Sequence, residues 1–251
     1  AYKNSDVDDS IYPQDANSLA LLYNLNTLEN KALISYALTL NWISIGSLAP
    51  ELPDNLIGYG QSLEIKGHLA ANQAHRALDL IRRAWGWYLN NPLGTASTCI
   101  EGYRADGSFG YRAETGYNND PSYTSHAHGW STGPTDALTS YIVGLTITQP
   151  AGKEWALTPQ FADLTFAEAG FSTPIGKFSS KWELEDGGFT LSWDVPLQTQ
   201  GAIFIPFTVH RIPGLVLNGK PWVLNDRDVS FTLDRVILPG KAGRNVLKVT
   251  Y

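Results

Sequence analysis

The 251-residue chain is 43% hydrophobic and 17% charged, the balance of a folded protein rather than a disordered one. Its net charge of -6 argues against nucleic acid or an anionic membrane as partner, and no apolar run approaches the roughly 18 residues of a membrane span. A single cysteine, Cys99, excludes an internal disulfide and any cysteine-cluster metal site.

Up to about Gln149 the apolar residues recur with helical spacing. Helices are read over 15–25, 29–45 and 61–71. The clearest runs over 72–90, with Ala74, Ala77, Leu78, Ile81, Trp85, Tyr88 and Leu89 on one side. Asn72 is read as its N-cap, and Pro92 with Gly94 as its stop. A last helix begins near Pro134 and carries Ala137, Leu138, Tyr141, Ile142 and Leu145 on one face. Such segments pair into helix hairpins. Long loops are read over 46–60 and 93–133. The second, about 40 residues rich in Gly, Tyr, Ser and Asp, is too long for a mere connector and is where chemistry is sought.

After Pro150 the apolar period changes to two. Strands are read over 154–157, 177–184, 189–195, 202–209, 229–233 and 246–251, and Asn218-Gly219 marks a two-residue hairpin turn. The expected fold class is therefore multidomain α+β: a helical domain over 1–150 and an antiparallel β-sandwich over 151–251.

The loop holds Ser97-Thr98-Cys99-Ile100-Glu101-Gly102-Tyr103 and, further on, Ser125-His126-Ala127-His128-Gly129-Trp130-Ser131-Thr132-Gly133-Pro134. Glu101, flanked by Ile100 and Tyr103, suits a partly apolar cleft in which a carboxylate transfers protons. A solvated surface charge is the plain alternative, as for Glu114 and Asp106. His126 and His128 share one face of an extended segment. They suit sugar contacts or structural hydrogen bonds better than a metal, since no third ligand stands at a recognisable spacing. Trp130 either stacks on a sugar ring or seals the entry to the helix. Glu64 and His68, four apart, face one another as an ordinary side-chain pair or as part of a site. No nucleophile elbow and no phosphate-binding glycine loop is present. Eight Trp and twelve Tyr fit either a carbohydrate site or an aromatic-rich core.

Taken together, several stretches resemble the α-L-rhamnosidases of glycoside hydrolase family 78, within the six-hairpin glycosidases. They are Tyr12 to Ala20, Leu78 to Gly86, Ser97 to Gly102, Ser125 to Pro134, and Ser172-Thr173-Pro174-Ile175-Gly176 followed by Trp182. Their order and spacing agree along nearly the whole chain.

The resemblance implies the C-terminal half of an (α/α)6 barrel over 1–150, followed by a C-terminal β-sandwich. It makes Glu101 the general base of an inverting hydrolase that releases terminal α-L-rhamnose. His128 becomes a sugar contact, with His126, Trp130, Trp85, Tyr103, Glu64 and Asp15 as further candidates for the substrate pocket. Ile100 departs from the family, which has Trp before the catalytic Glu, so the pocket wall differs there. The implied partners are a carbohydrate or a rhamnosylated small molecule, and the missing N-terminal half of the barrel, which would supply the general acid. No cofactor or metal is implied. The chain lacks methionine and does not begin with a signal peptide, so it is read as processed or cropped from a longer polypeptide, and without an N-x-Ser/Thr sequon glycosylation gives no evidence of secretion. An extracellular location is the expectation. A non-catalytic carbohydrate-binding relative, or another six-hairpin glycosidase or lyase, is the alternative.

Overall fold

The computed structural model describes residues 1–7, 10–207, 213–222, 229–232 and 234–251. They form two compact units, Ala1–Ala137 and Leu138–Tyr251.

The first unit is helical. Helix α1 (Gln14–Leu22) follows Pro13, which offers no side-chain acceptor to the free N–H groups of the first turn. The Glu51 carboxylate takes that place, accepting from the amides of Gln14 (2.9 Å) and Asp15 (3.3 Å). Helix α2 (Leu28–Thr39) is capped by Thr27 through the amide of Asn30. The periodicity extended this helix to 45, but Trp42–Ile43 (β1) and Gly46–Ser47 (β2) instead pair as a small antiparallel ribbon.

Helix α3 (Gly58–Ala70) starts earlier than expected, directly after strand β3 (Asn55–Ile57). It packs on α1, on α2 and on α4 (Ala74–Ile81). Asn72, expected as the N-cap of α4, has φ 56° and ends α3 instead. The amide of Gln73 reaches the carbonyl of His68 (2.8 Å) and that of Asn72 reaches Leu69 (3.0 Å), the double bond of a Schellman motif. Asn tolerates the left-handed backbone better than other non-glycine residues, which is why it serves there. Beyond α4 the helical path continues through a wider π turn at Arg82–Gly86 into α5 (Trp87–Leu89). The expected loop over 93–133 contains strand β4 (Gly102–Arg104), paired with β3, and two short 3-10 turns. Helix α6 (Gly133–Ala137) closes the unit.

These helices are tied by a buried polar network. Arg76 Nη1 donates to Ser35 Oγ (2.8 Å), which lies 2.7 Å from His68 Nδ1. His68 Nε2 lies 3.3 Å from Glu64 Oε1. That carboxylate also accepts from Trp42 Nε1 (2.6 Å) and Gln14 Nε2 (2.7 Å). Arg76 can only donate and a carboxylate can only accept, so the run from Arg76 through Ser35 and His68 to Glu64 has one direction: Ser35 donates to Nδ1 and His68 donates from Nε2.

In the second unit the expected helix over 134–145 stops short. Residues Leu138–Val143 form a π turn, and Leu145 belongs to strand β5 (Leu145–Ile147). Gly144 between them has φ 82°, and a Cβ there would lie 2.3 Å from the carbonyl carbon of Thr158, so only glycine makes this exit. A five-stranded sheet has the order β13 (Ser230–Phe231), β14 (Arg235–Gly240), β10 (Gln200–Pro206), β6 (Glu154–Leu157), β5. A six-stranded sheet has the order β12 (Lys220–Pro221), β11 (Gly214–Leu217), β15 (Gly243–Thr250), β9 (Gly188–Val195), β8 (Gly176–Glu185), β7 (Phe166–Thr173).

Pairing is antiparallel in both sheets among the described residues except between β6 and β10, which run parallel. The sheets' inner faces meet through Trp155 of β6 and Trp193 of β9, ring centroids 6.4 Å apart. Phe178, Trp182, Leu191, Ile203, Val236 and Leu247 fill the buried faces. Asn218-Gly219 makes the expected turn, between β11 and β12. Residues 208–209 of the expected 202–209 strand, and 233 of the 229–233 strand, lie outside the described residues. Strands β7, β11, β12 and β14 were not among those read from the period, though the Asn218-Gly219 turn marks where β11 meets β12. Strand β7 is an edge strand with no fully buried residue, and β14 runs into Pro239 and Gly240.

Replacing Glu64 with Ala leaves the Trp42, Gln14 and His68 donors without their acceptor in a dry interior. We expect a loss of about 3–5 kcal/mol in denaturant-induced unfolding of the chain. A loss below about 1 kcal/mol would contradict the role assigned to this network.

Candidate functional site

Glu101 sits where an extended segment enters β4. Its amide donates to the carbonyl of Ser125 (2.8 Å), and the amide of His128 donates to the carbonyl of Cys99 (2.8 Å). Segments 99–101 and 125–128 are thereby laid side by side, which sets Glu101 next to the segment that carries the two histidines, 24 residues on in the sequence. The pair is anchored to the first turn of α3, where the amide of Gly58 donates to the carbonyl of Glu101 (2.9 Å). A Cβ on Gly58 would meet Ser131 Oγ at 2.3 Å, so this approach closes only without a side chain.

The carboxylate is held by two donors. The Tyr117 hydroxyl donates to Oε1 (2.7 Å), and the amide of Ser125 donates to Oε2 (3.1 Å). A carboxylate has about four acceptor positions, so both oxygens keep capacity for a further partner. Around it, Tyr117 lies 6.2 Å from the Tyr111 ring and 5.8 Å from the Tyr123 ring, and the Arg112 guanidinium stands 5.4 Å over Tyr117. The hydrogen bond to Glu101 is the chief cause that pushes the Tyr117 phenol above its ordinary value, with burial second. Burial first, and then the Glu101 charge, push the Tyr111 phenol up to about 12.

Beneath the segment lies an apolar floor of Leu56, Tyr88, Ile100 and Tyr103, with Trp87 and Phe109 packed against it. Tyr103 is part of this core. Its hydroxyl donates to the carbonyl of Ile45 (2.7 Å), and burial pushes its phenol well up. Trp85 is carried by the π turn, and its Nε1 donates to the carbonyl of Ser131 (2.7 Å). With Gly58, Ala84, Tyr88 and Ile100 it lines a cavity of about 20 Å³, room for little more than one water. His126 Nδ1 lies 3.4 Å from the Tyr88 hydroxyl, and its ring stands edge-on to Phe109 at 5.2 Å. Trp130 is 70% exposed and leans on Tyr59 with ring centroids 5.1 Å apart.

Two of the sequence-derived candidates lie in other surroundings. Glu64 is fully buried in the helix network, paired with His68 at the four-residue spacing. Ser35, His68 and Glu64 together mimic a catalytic relay in outline, but Ser35 is itself fully buried and engaged by Arg76. Asp15 is exposed in the first turn of α1, next to the Glu51 carboxylate. Among the described residues, no group of three or more His, Cys, Asp or Glu is placed to hold a metal ion.

Sequence reasoning missed Tyr117, Tyr111 and Tyr59. The first two lie in an aperiodic loop, and the only available signal was its richness in tyrosine.

Replacing Glu101 with Gln removes the charge that both phenols feel. Alkaline ultraviolet titration should then show the Tyr117 and Tyr111 transitions at lower pH than in the parent chain. Unchanged transitions for both would contradict the contact.

Residues 144–214 match the family described as bacterial alpha-L-rhamnosidase C-terminal domain. No curated protein sequence matches the chain. Its fold is similar to the alpha-L-rhamnosidase of Dictyoglumus thermophilum, with TM-score 0.73 and 16% identity over 98% of this chain. It is also similar to the Streptomyces avermitilis alpha-L-rhamnosidase complexed with L-rhamnose, with TM-score 0.69 and 17% identity over 100% of this chain. A third likeness is the GH78 family rhamnosidase of Bacillus sp. GL1, with TM-score 0.59 and 24% identity over 78% of this chain. The chain spans 26%, 23% and 19% of those enzymes. The resemblance to the C-terminal portion of family 78 rhamnosidases, read from the sequence, is borne out.

Proposed function

We propose, from a chain that is similar to the C-terminal portion of α-L-rhamnosidases, that it supplies the general base and part of the sugar pocket of an inverting glycoside hydrolase. The substrate is a terminal α-L-rhamnoside of a small molecule or glycan, and we place the enzyme outside the cell. The observation that carries this reading is the Glu101 carboxylate, fixed by Tyr117 and Ser125 with acceptor capacity to spare.

In this mechanism Glu101, as carboxylate, draws a proton from a water. That water attacks the anomeric carbon from the face opposite the leaving group. A carboxylic acid about 6.5–9.5 Å away protonates the glycosidic oxygen. We assign that acid to a preceding half of an (α/α)6 barrel, which would pack against the helical unit described here. Helix α2 supports this arrangement, because Leu33, Tyr36 and Leu40 line one of its faces while 61%, 55% and 68% exposed. His128 and Trp130 would orient the sugar, the flat indole packing against its C–H face.

In the complete enzyme, Glu101→Gln should lower kcat by about 100- to 10,000-fold on an aryl rhamnoside while the melting temperature holds. Near-parental turnover would overturn the assignment. The barrel proposal is tested separately by Leu33→Lys combined with Leu40→Lys. The complete polypeptide should lose about 2 kcal/mol or more, and the isolated chain less than about 0.5 kcal/mol, in parallel denaturation curves.

A further inference from the structure

Three features lie beyond the reading just given: the groove on the outer face of the six-stranded sheet, the exposed Tyr59–Trp130 pair, and the Tyr117 contact. The groove is lined by Ser179, Lys181, Ser192, Asp194 and Arg244, and Asp194 and Arg244 already pair with one another at 3.2 Å. The aromatic pair is defined by its ring contact alone, which selects no particular ligand. The Tyr117 contact goes further, because both its geometry and its chemistry are defined.

We propose that Tyr117 is a positioning residue for the general base, holding Glu101 Oε2 and Oε1 in a fixed orientation by donating its hydroxyl to Oε1. This inference rests on the assignment of Glu101 as base. A glutamate side chain has three rotatable bonds, and a base must keep its oxygen within hydrogen-bond reach of the attacking water. The amide of Ser125 alone fixes one oxygen and leaves rotation about that contact. The Tyr117 hydroxyl, 2.7 Å from the other oxygen, removes that freedom.

The tyrosine is itself secured. Its amide donates to the carbonyl of Arg112 (3.3 Å), and its carbonyl accepts from the amide of Asp120 (2.8 Å). Its ring packs between Tyr111 and Tyr123 under the Arg112 guanidinium. Tyr117 therefore acts on the orientation of Glu101.

The test uses the complete enzyme and an aryl rhamnoside, with kcat and KM measured for the parent, Tyr117→Phe and Glu101→Gln. Phenylalanine keeps the ring and its packing, and thermal melting checks the fold. We expect Tyr117→Phe to lower kcat about 10- to 100-fold, with KM within about twofold. A merely structural tyrosine would lower the melting temperature or raise KM and leave kcat in place. Parental kcat in Tyr117→Phe would overturn the positioning role and leave the base standing. Parental turnover in Glu101→Gln would overturn the base, and this inference with it.

Discussion

The helical unit depends on one buried carboxylate. Glu64 is enclosed by helices and would be prohibitively costly there as a lone charge, since removing an ion from water costs several kcal/mol even in relaxed proteins. Its cost is offset by donors that come from α1 (Gln14), from the ribbon (Trp42) and from α3 itself (His68). Through His68 the chain of contacts reaches α2 (Ser35) and α4 (Arg76). Apolar packing alone tolerates sliding of one helix along another. A hydrogen-bonded ion does not, because a displaced donor leaves a group unpaired. The network thus sets where α3 begins, and α3 begins at Gly58, whose amide holds the main chain of Glu101.

The two glutamates of this unit divide the possible fates of a carboxylate. Glu64 accepts from Gln14, Trp42 and His68 in a closed interior and so ties the helices together. Glu101 is also gripped on both oxygens, but only half-buried, by one phenol and one amide on loops. The aromatic floor of Ile100, Tyr88 and Tyr103 gives that loop a rigid base, so a segment with no regular structure of its own is still well defined.

Much of this was legible in the sequence for a physical reason. Where burial is one-sided, as in α4 or in β8 and β9, the apolar period reports the element directly. It failed where a local device overrode the period. Asn72 looked like the start of α4 because Asn caps helices. It ends α3 because its backbone takes the left-handed turn first. Leu145 kept helical spacing with Ile142, but Gly144 had already turned the chain. The Glu101 segment stood out through motif order. What holds Glu101 did not, since Tyr117 and Ser125 reach it through loop conformation, for which sequence spacing carries no rule.

The parallel pairing of β6 with β10 carries a consequence for how the second unit forms. Strand β6 finds β5 at once, a short antiparallel contact that is marginal in water by itself. Its other edge faces β10, with Glu154 opposite Gln200, and the whole β7–β8–β9 meander lies between them in the chain. Closing so long a loop costs entropy before any ladder bond returns it. The meander can therefore assemble from neighbouring hairpins while the five-stranded sheet is still waiting for its central partner. During that interval β6 presents bare N–H and C=O groups beside Trp155 and Leu157, an edge that another unfinished copy could pair with. Vulnerability to aggregation during folding is thus written into the strand order of this unit.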